Sequence, residues 1–220
     1  MIHTLMYGFD KIPPTDIELL ENHHHFIELQ KIVSVHGLPY GCGSYLMDGK
    51  SLDYTPIMYP KQVALRSAAK GKKRGIEIGV NAGHSLLLIL IANQDIVLDA
   101  IDICELTYTE PCVKYLQDQF PNRINFYKGD SHKVLESMDL KDKYDFIHID
   151  GYHEVNHVKK EIDYLEQNDA TCVIDDIEGL HGVSEHLQSK WPNLSKYVPN
   201  CIWTNAVFSK KEMSKITHIL

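Results

Sequence analysis

Acidic side chains follow two apolar runs in the second half of the chain, and their types and spacing suggest chemistry. The run YDFIHID reads as a buried strand that ends in Asp150, and His153 follows after a glycine turn. The run TCVI ends in the same way, at the pair Asp175 and Asp176. The carboxyl ends of parallel strands share one edge of a sheet, where α/β proteins bind ligands. Three carboxylates there predict a hard divalent cation such as Mg²⁺, and His153 predicts a proton acceptor.

A site of this kind would activate a hydroxyl group. A metal ion held by Asp150, Asp175 and Asp176 would lower the pKa of a bound hydroxyl and fix its orientation. His153 would accept the proton, and the alkoxide would attack an electrophile held in line with it. Alternatively, the aspartates cap helices or face solvent, and His153 binds substrate or lies at the crevice rim. His148 alternates with isoleucines within the strand and is predicted to be packed.

The elements that must position these residues alternate regularly from residue 74 onward. Short apolar runs alternate with helical runs, which is typical of βαβ units and a mostly parallel sheet. The predicted strands cover residues 75–80, 96–103, 124–128, 144–149 and 171–174. The predicted helices cover residues 85–93, 110–120, 131–138, 155–167 and 182–190.

The tail changes pattern. Residues 197–203 and 206–210 predict two strands of a terminal antiparallel hairpin, and residues 216–220 are a candidate for a third. The predicted fold class is therefore α/β: a Rossmann-like, seven-stranded, mostly parallel sheet with helices on both faces and a C-terminal antiparallel hairpin.

The first sixty residues predict a helical and irregular N-terminal cap, and residues 61–220 predict the main domain. Residues 15–37 predict a helix, with Thr15 and Glu18 at capping-box spacing. Its triple histidine at 23–25 is predicted to be solvated or half-buried, because successive helical residues point in different directions. Residues 37–59 predict an irregular region, a candidate lid, and residues 60–70 predict a second helix.

Composition limits the partners and the compartment. The 220 residues carry a net charge of −8, which disfavours nucleic acid and anionic membrane surfaces. The longest apolar run, LLLILIA, is too short to span a membrane, and no signal peptide is visible. The five cysteines are scattered without a CxxC pair, which favours a reducing compartment, and we expect a cytoplasmic protein. The sequence leaves open whether the chain forms a homo-oligomer.

A glycine-containing turn precedes the acidic strand ends. The segment IEIGVNAGHS predicts a strand that runs into Gly79, a tight turn, and a helix that starts near Gly83. Backbone N–H groups and a helix N-terminus would therefore face the ligand crevice. The dinucleotide fingerprint GxGxxG is absent, and Glu77 would repel a pyrophosphate. The turn therefore favours a cofactor without phosphate groups.

The motif E-x-G-x-x-x-G resembles the first motif of class I S-adenosylmethionine-dependent methyltransferases. The resemblance implies that the turn passes under the amino-acid part of the cofactor. It implies that Asp102, at the end of the next strand, binds the ribose hydroxyls and that Asp130 lies near the adenine. Both acids could instead serve only as caps. The implied cofactor-binding residues are Glu77, Gly79, Asn81, Gly83, His84, Ser85, Asp102, Asp130 and Ser131.

The acidic strand ends resemble those of the metal-dependent O-methyltransferases. The D-G-x-H form at Asp150 and His153 is closer to the macrolide-sugar and cephalosporin-biosynthesis enzymes. The resemblance covers roughly residues 61–190. It implies Mg²⁺ at Asp150, Asp175 and Asp176, His153 as the base, and a hydroxyl group of a sugar or natural product as the acceptor.

Three alternatives remain open at this point. They are a metal-independent methyltransferase, an NAD-type oxidoreductase on a Rossmann-like fold, and a cofactor-binding protein without turnover. The first sixty residues match no family pattern, and we expect them to determine substrate choice.

Overall fold

The structure is a computed structural model, and it describes residues 6–37, 52–177, 180, 182–197 and 205–210. Some predictions fall outside these ranges: most of the irregular region at 37–59, the strand segment at 198–203 and the strand at 216–220. His181, which the sequence places close after the aspartate pair, also lies outside them.

A seven-stranded sheet forms the centre of the fold, in the order β3-β2-β1-β4-β5-β7-β6. Its strands are Arg74–Ile78 (β1), Val97–Asp102 (β2), Ile124–Lys128 (β3), Phe146–Ile149 (β4), Thr171–Ile174 (β5), Asn193–Tyr197 (β6) and Ala206–Ser209 (β7). The first five pair in parallel, whereas β7 is antiparallel to both β5 and β6. This topology confirms the predicted fold class, although β6 begins earlier than the predicted start at residue 197.

Seven α-helices surround the sheet in the described part of the chain. They are Ile17–Val35 (α1), Tyr59–Ala69 (α2), His84–Ala92 (α3), Thr109–Gln119 (α4), Ser131–Ser137 (α5), Val155–Leu165 (α6) and Val183–Lys190 (α7). Short 3₁₀ helices cover Met6–Lys11 and Pro56–Met58. The boundaries of these helices and of β1–β5 agree with the predicted ones to within two residues.

Two hydrophobic clusters cover the two faces of the sheet. The alternation of side chains along β4 shows this division, because Phe146 packs into one cluster and Ile147 and Ile149 into the other. The first cluster includes residues of α1, α3 and α4, and the second includes residues of α5, α6 and α7. Phe26 of α1 and Leu86 of α3 lie in the same cluster. The N-terminal helix therefore packs onto the helices of the main domain.

A buried ionic network fixes α1 against α2. Asp16 is the N-cap of α1 and accepts from the N–H of Leu19 at 3.0 Å, so the predicted cap at Thr15 is wrong. The same carboxylate accepts from Nη1 of Arg66 at 2.9 Å and from the hydroxyl of Tyr59 at 2.9 Å. Asp16 therefore caps α1 and also ties it to α2.

No helix in the described ranges is long and apolar enough to cross a membrane. Of the cysteines, Cys104, Cys112 and Cys172 carry free thiols. Burial raises the pKa of Cys112 to about 12, so this thiol is unreactive at neutral pH.

Candidate active site

The acidic strand ends lie side by side, as predicted. The N–H of Asp150 donates to the carbonyl of Ile78 at 2.8 Å, and the N–H of Asp175 donates to the carbonyl of Ile149 at 3.0 Å. These bonds continue the parallel ladder one residue beyond each strand. Asp176 then leaves the sheet with a φ of 51°, a left-handed conformation that aspartate tolerates better than most residues.

A lysine from outside the sheet reaches this cluster. Nζ of Lys61, in the first turn of α2, lies 2.7 Å from Oδ2 and 2.6 Å from Oδ1 of Asp175. It also lies 3.7 Å from Oδ1 of Asp176, and its side chain is only 1% exposed. Nothing in the local sequence marks this lysine, because a lysine in the first turn of a helix ordinarily faces solvent.

Burial and the neighbouring Asp150 raise the pKa of Asp175 to about 7, against the opposing effect of Lys61. Burial lowers the pKa of Lys61, but the charges of Asp175, Asp150 and Asp176 outweigh it and leave that pKa raised. One buried ammonium group therefore faces three carboxylates.

His153 lies between two of these carboxylates. Its Nε2 is 3.4 Å from Oδ1 of Asp150, and its Nδ1 is 3.5 Å from Oδ2 of Asp176. Burial lowers the pKa of His153, but the surrounding carboxylates outweigh burial and raise it to about 9. In the protein without ligands the imidazole is therefore protonated at neutral pH, and it acts as a counter-ion of the aspartates.

The donor set fits a hard divalent cation by chemistry, because carboxylate oxygens are the ligands that Mg²⁺ prefers. However, within the described residues these three side chains are not among the groups that bring three ligand atoms within 4.8 Å of one another. The ammonium of Lys61 lies within 2.7 Å of both oxygens of Asp175. Metal binding at these residues stays a prediction.

The glycine turn touches the acidic cluster directly. Gly79 has a φ of 87°, and a Cβ atom on it would lie 2.1 Å from the carbonyl oxygen of Asp150. Gly83 has a φ of 77°, and a Cβ atom there would lie 2.9 Å from Cδ1 of Leu116. Glycine is therefore required at both positions by conformation and by space.

Asp102 holds the turn in place. Its Oδ2 accepts from the N–H groups of Val80 at 2.8 Å and Asn81 at 2.9 Å, and its Oδ1 accepts from the N–H of Cys104 at 2.7 Å. Asn81 in turn accepts at Oδ1 from the hydroxyl of Tyr108 at 2.9 Å. A carboxylate has about four acceptor positions, so Asp102 retains capacity for a ligand hydroxyl. Tyr108 is a contact that the sequence did not indicate.

Other predicted cofactor residues form a buried network beneath the turn. The hydroxyl of Ser85 donates to Oε1 of Glu77 at 2.5 Å, and Nδ1 of His148 lies 3.0 Å from the same oxygen. The bond to Glu77 raises the pKa of His148 against the effect of burial. His148 is packed as predicted, but it also forms an ion pair. The cofactor contacts of Glu77 and Ser85 stay predictions.

The imidazole of His84 points into the core. Its ring packs against Phe26 of α1, with ring centroids 6.4 Å apart. Both ring nitrogens are buried and have no hydrogen-bond partner in the part of the chain that the structure describes. Burial lowers the pKa of His84 to about 3, so the ring is neutral. The backbone of His84 lies at the start of α3.

Asp130 and Ser131 follow β3 at the same sheet edge. Asp130 caps α5, with Oδ1 accepting from the N–H of Lys133 at 3.1 Å, and this bond lowers its pKa. The hydroxyl of Ser131 donates to Oε1 of Glu161 at 2.5 Å. Capping uses one carboxylate oxygen of Asp130 and leaves the other for a ligand.

A cavity of about 300 Å³ lies at the opposite edge of the sheet, near the amino ends of β1, β4 and β5. It is lined by Lys73, Arg74, Asp142, Lys143, Tyr144, Asp145 and Asp169. Ligands of open α/β sheets bind at the carboxyl edge, so this cavity is not the candidate active site.

Known proteins share this fold and part of this sequence. Residues 76–177 match a family described as a methyltransferase domain. This segment contains every predicted site residue, whereas Lys61 lies before it. No curated protein sequence matches the chain significantly.

Three solved structures illustrate the shared fold. A Corynebacterium glutamicum protein is 15% identical with a TM-score of 0.63, over 96% of this chain and 97% of that one. A candidate O-methyltransferase from Klebsiella pneumoniae is 14% identical with a TM-score of 0.59, over 96% and 94%. A candidate caffeoyl-CoA O-methyltransferase from Staphylococcus aureus is 16% identical with a TM-score of 0.54, over 87% and 97%.

Proposed function

We propose that this chain, whose residues 76–177 match a methyltransferase-domain family, is an S-adenosylmethionine-dependent O-methyltransferase assisted by a divalent metal ion. Its acceptor would be a hydroxyl group of a small molecule such as a sugar or natural product. The acidic surface, with a net charge of −8, supports a small acceptor over a nucleic acid.

One observation carries this proposal. The turn at Gly79 and the loop at Asp150 are in contact, because a single added Cβ atom would lie 2.1 Å from the Asp150 carbonyl. A cofactor on the turn and an acceptor at the aspartates would therefore be neighbours. Proximity of this kind supplies a large part of the rate enhancement in a two-substrate reaction.

The residues of the turn fit the proposed cofactor, which supplies an electrophilic methyl group when bound. Asp102 would accept from hydroxyl groups with the acceptor capacity that its three backbone bonds leave. The N-terminus of α3 would face the carboxylate of the amino-acid part. Gly79 and Gly83 would keep the backbone close enough for contact, because they present no side chain.

The acidic cluster would hold the metal and prepare the acceptor. Asp150, Asp175 and Asp176 would bind Mg²⁺, whose chemistry is to lower the pKa of a bound hydroxyl. His153 would then accept the hydroxyl proton. Its pKa of about 9 is caused by the same carboxylates, so a cation that offsets their charge also lowers this pKa towards the working range of a base.

A metal-independent methyltransferase is the second candidate, and Lys61 favours it. The ammonium group lies 2.6 and 2.7 Å from the two oxygens of Asp175 and could serve as the cation of the cluster. In that case Lys61 would hold the carboxylates in place, and His153 would orient the acceptor.

Binding and activity measurements test both candidates. Calorimetry with S-adenosylhomocysteine tests the cofactor site. Methyl transfer to a panel of sugars, phenols and polyketides is then measured before and after EDTA and after added Mg²⁺. Loss of methyl transfer with EDTA, its restoration with Mg²⁺, and its loss in the Asp150→Asn variant would support the metal-assisted enzyme.

The matched control is Asp163→Asn. Asp163 is a half-exposed acid near the C-terminal end of α6, and it pairs with His186 of α7. Full methyl transfer in EDTA together with its loss in the Lys61→Met variant would support the metal-independent methyltransferase instead. No binding of S-adenosylhomocysteine would contradict both.

A further inference from the structure

Two histidines and a glutamate outside the proposed methyl-transfer site converge between α5 and α6. His132 comes from α5, and His157 and Glu161 come from α6. One ligand atom from each lies within 4.8 Å of the other two, and no other such group occurs among the residues with described coordinates. His157 and Glu161 are four residues apart on one helix, a spacing that places two ligands on one face.

The two imidazoles lie side by side next to Glu161. Nε2 of His157 lies 3.2 Å from Oε1 of Glu161 and 3.1 Å from the hydroxyl oxygen of Ser131, whose own hydrogen goes to Glu161. This nitrogen therefore carries a hydrogen, which a bound metal ion would displace. The rings of His132 and His157 stack, with centroids 3.8 Å apart and planes at 19°. Nε2 of His132 lies 3.1 Å from the carbonyl oxygen of His157.

That last contact decides which nitrogen of His132 is free. A carbonyl oxygen only accepts, so Nε2 carries the hydrogen, and the lone pair of the neutral ring lies on Nδ1. Histidines that bind metals commonly donate their other N–H to a backbone carbonyl in this way, which fixes the tautomer and the ring orientation.

The glutamate supplies the independent sign of a missing ligand. Glu161 is fully buried, and its Oε1 accepts from the hydroxyl of Ser131 at 2.5 Å. Its Oε2 is buried and has no hydrogen-bond partner within the described part of the chain. A buried carboxylate oxygen without a partner is costly, and a bound cation would remove that cost.

We propose that His132, His157 and Glu161 form a binding site for a transition-metal ion of the Zn²⁺ type. Two imidazoles and one carboxylate suit Zn²⁺ and related divalent transition metals, whereas Mg²⁺ prefers oxygen ligands alone. This site therefore differs in chemistry from the aspartate cluster. Both histidines are partly exposed, which gives the ion a path of entry.

The location ties this site to the cofactor crevice. The hydroxyl of Ser131, a predicted cofactor residue, contacts Glu161 at 2.5 Å and lies 3.1 Å from Nε2 of His157. The ion would therefore lie next to Ser131 at the start of α5. The inference does not rest on methyl transfer, because metal binding is measured without any acceptor or cofactor.

Spectroscopy with Co²⁺ as a probe for Zn²⁺ tests the site in the full chain. Four-coordinate Co²⁺ absorbs strongly in the visible range, whereas six-coordinate Co²⁺ on oxygen ligands absorbs weakly, so the aspartate cluster does not produce the signal. We expect one equivalent of strongly absorbing Co²⁺, which Zn²⁺ displaces. Glu161→Gln and His157→Gln should weaken binding by more than about 100-fold, since even partners of metal ligands are worth 10–100-fold.

Two control variants separate this site from adventitious binding. His186→Gln removes another histidine paired with a carboxylate, 2.7 Å from Asp163, and should leave the signal unchanged. Asp176→Asn removes a carboxylate of the other cluster and should also leave it unchanged. Ions held at the histidines of residues 23–25 would persist in all four variants.

Thermal unfolding gives a second readout. Zn²⁺ should raise the Tm of the wild type and not that of Glu161→Gln, whose near-isosteric side chain preserves packing. Equal Co²⁺ affinity and equal spectra in the wild type and Glu161→Gln would overturn the proposal. A purely six-coordinate spectrum in the wild type would also overturn it.

Discussion

The ammonium group of Lys61 lies 2.7 Å from the carboxylate of Asp175, although 114 positions separate the two residues in sequence. Both side chains are almost completely buried, at 1% and 3% exposure. The pair joins α2 to the end of β5 at the point where the chain gathers its acidic strand ends. Removing either charge therefore affects both stability and the candidate active site.

Lys61→Met should destabilise the protein by about 3–5 kcal/mol, the usual cost of leaving one partner of a buried pair uncompensated. The methionine preserves the apolar stem, so the loss reports the charge. Urea unfolding measures it. Added Mg²⁺ should recover part of the loss, because a divalent cation can replace the missing positive charge among the three carboxylates.

Lys160→Met is the control for this prediction. Lys160 is an exposed lysine on α6 that pairs with Glu136 at 3.4 Å. Exposed pairs contribute at most about 1 kcal/mol, so a small change without Mg²⁺ dependence is expected. Equal effects of the two substitutions would contradict the role given to Lys61.

Gly79→Ala should abolish S-adenosylhomocysteine binding and destabilise the fold by more than about 3 kcal/mol. Left-handed backbone costs an L-residue about 1–2 kcal/mol, and here the methyl group would also lie 2.1 Å from the carbonyl oxygen of Asp150. Gly71→Ala separates the two causes. Gly71 has a φ of 74° but nothing within 4 Å of its Cβ position, so only the conformational cost should appear.

Calorimetry of both alanine variants measures S-adenosylhomocysteine binding, and urea unfolding measures their stability. If Gly71→Ala and Gly79→Ala lose the same stability, the close approach of the turn to Asp150 is not important for the fold.

His84→Met should change the pH dependence of stability. The pKa of His84 is lowered from 6.5 to about 3 in the folded protein, so the unfolded chain binds the proton more tightly. Its contribution to stability is complete above pH 6.5 and is lost as the pH falls towards 3. Between pH 7 and pH 4 the wild type should therefore lose about 3 kcal/mol more than His84→Met.

Unfolding curves at several pH values measure this difference. Parallel profiles of wild type and His84→Met would show that the buried imidazole does not control acid sensitivity.

Asp102→Asn should weaken S-adenosylhomocysteine binding by about 10–100-fold, since hydrogen bonds to a charged group contribute about 1.5–3 kcal/mol. One end of the asparagine would present N–H groups to the amides of the turn, where Asp102 presents only acceptors. Calorimetry provides the measurement. Asp95→Asn, at an exposed acid paired with Lys73, is the control and should bind normally.

The sequence by itself determined the architecture and the edge of the sheet that carries the acids. Apolar periodicity is a local property, so the strand ends at Asp150 and Asp175 and the turn at Gly79 could be placed from it. Parallel strands then bring their carboxyl ends to one edge whatever the details of packing. The antiparallel hairpin was also predictable, but its first strand was placed too late.

Only the tertiary structure decided which side chains meet across that architecture. Lys61 reaches Asp175 from a helix that Arg66 and Asp16 tie to α1, and no local pattern encodes this contact. His132 meets His157 because α5 packs on α6, and His84 turns inward because α1 covers it. These contacts join residues far apart in sequence, and their geometry follows from the packing of whole elements, which the periodicity of one segment does not determine.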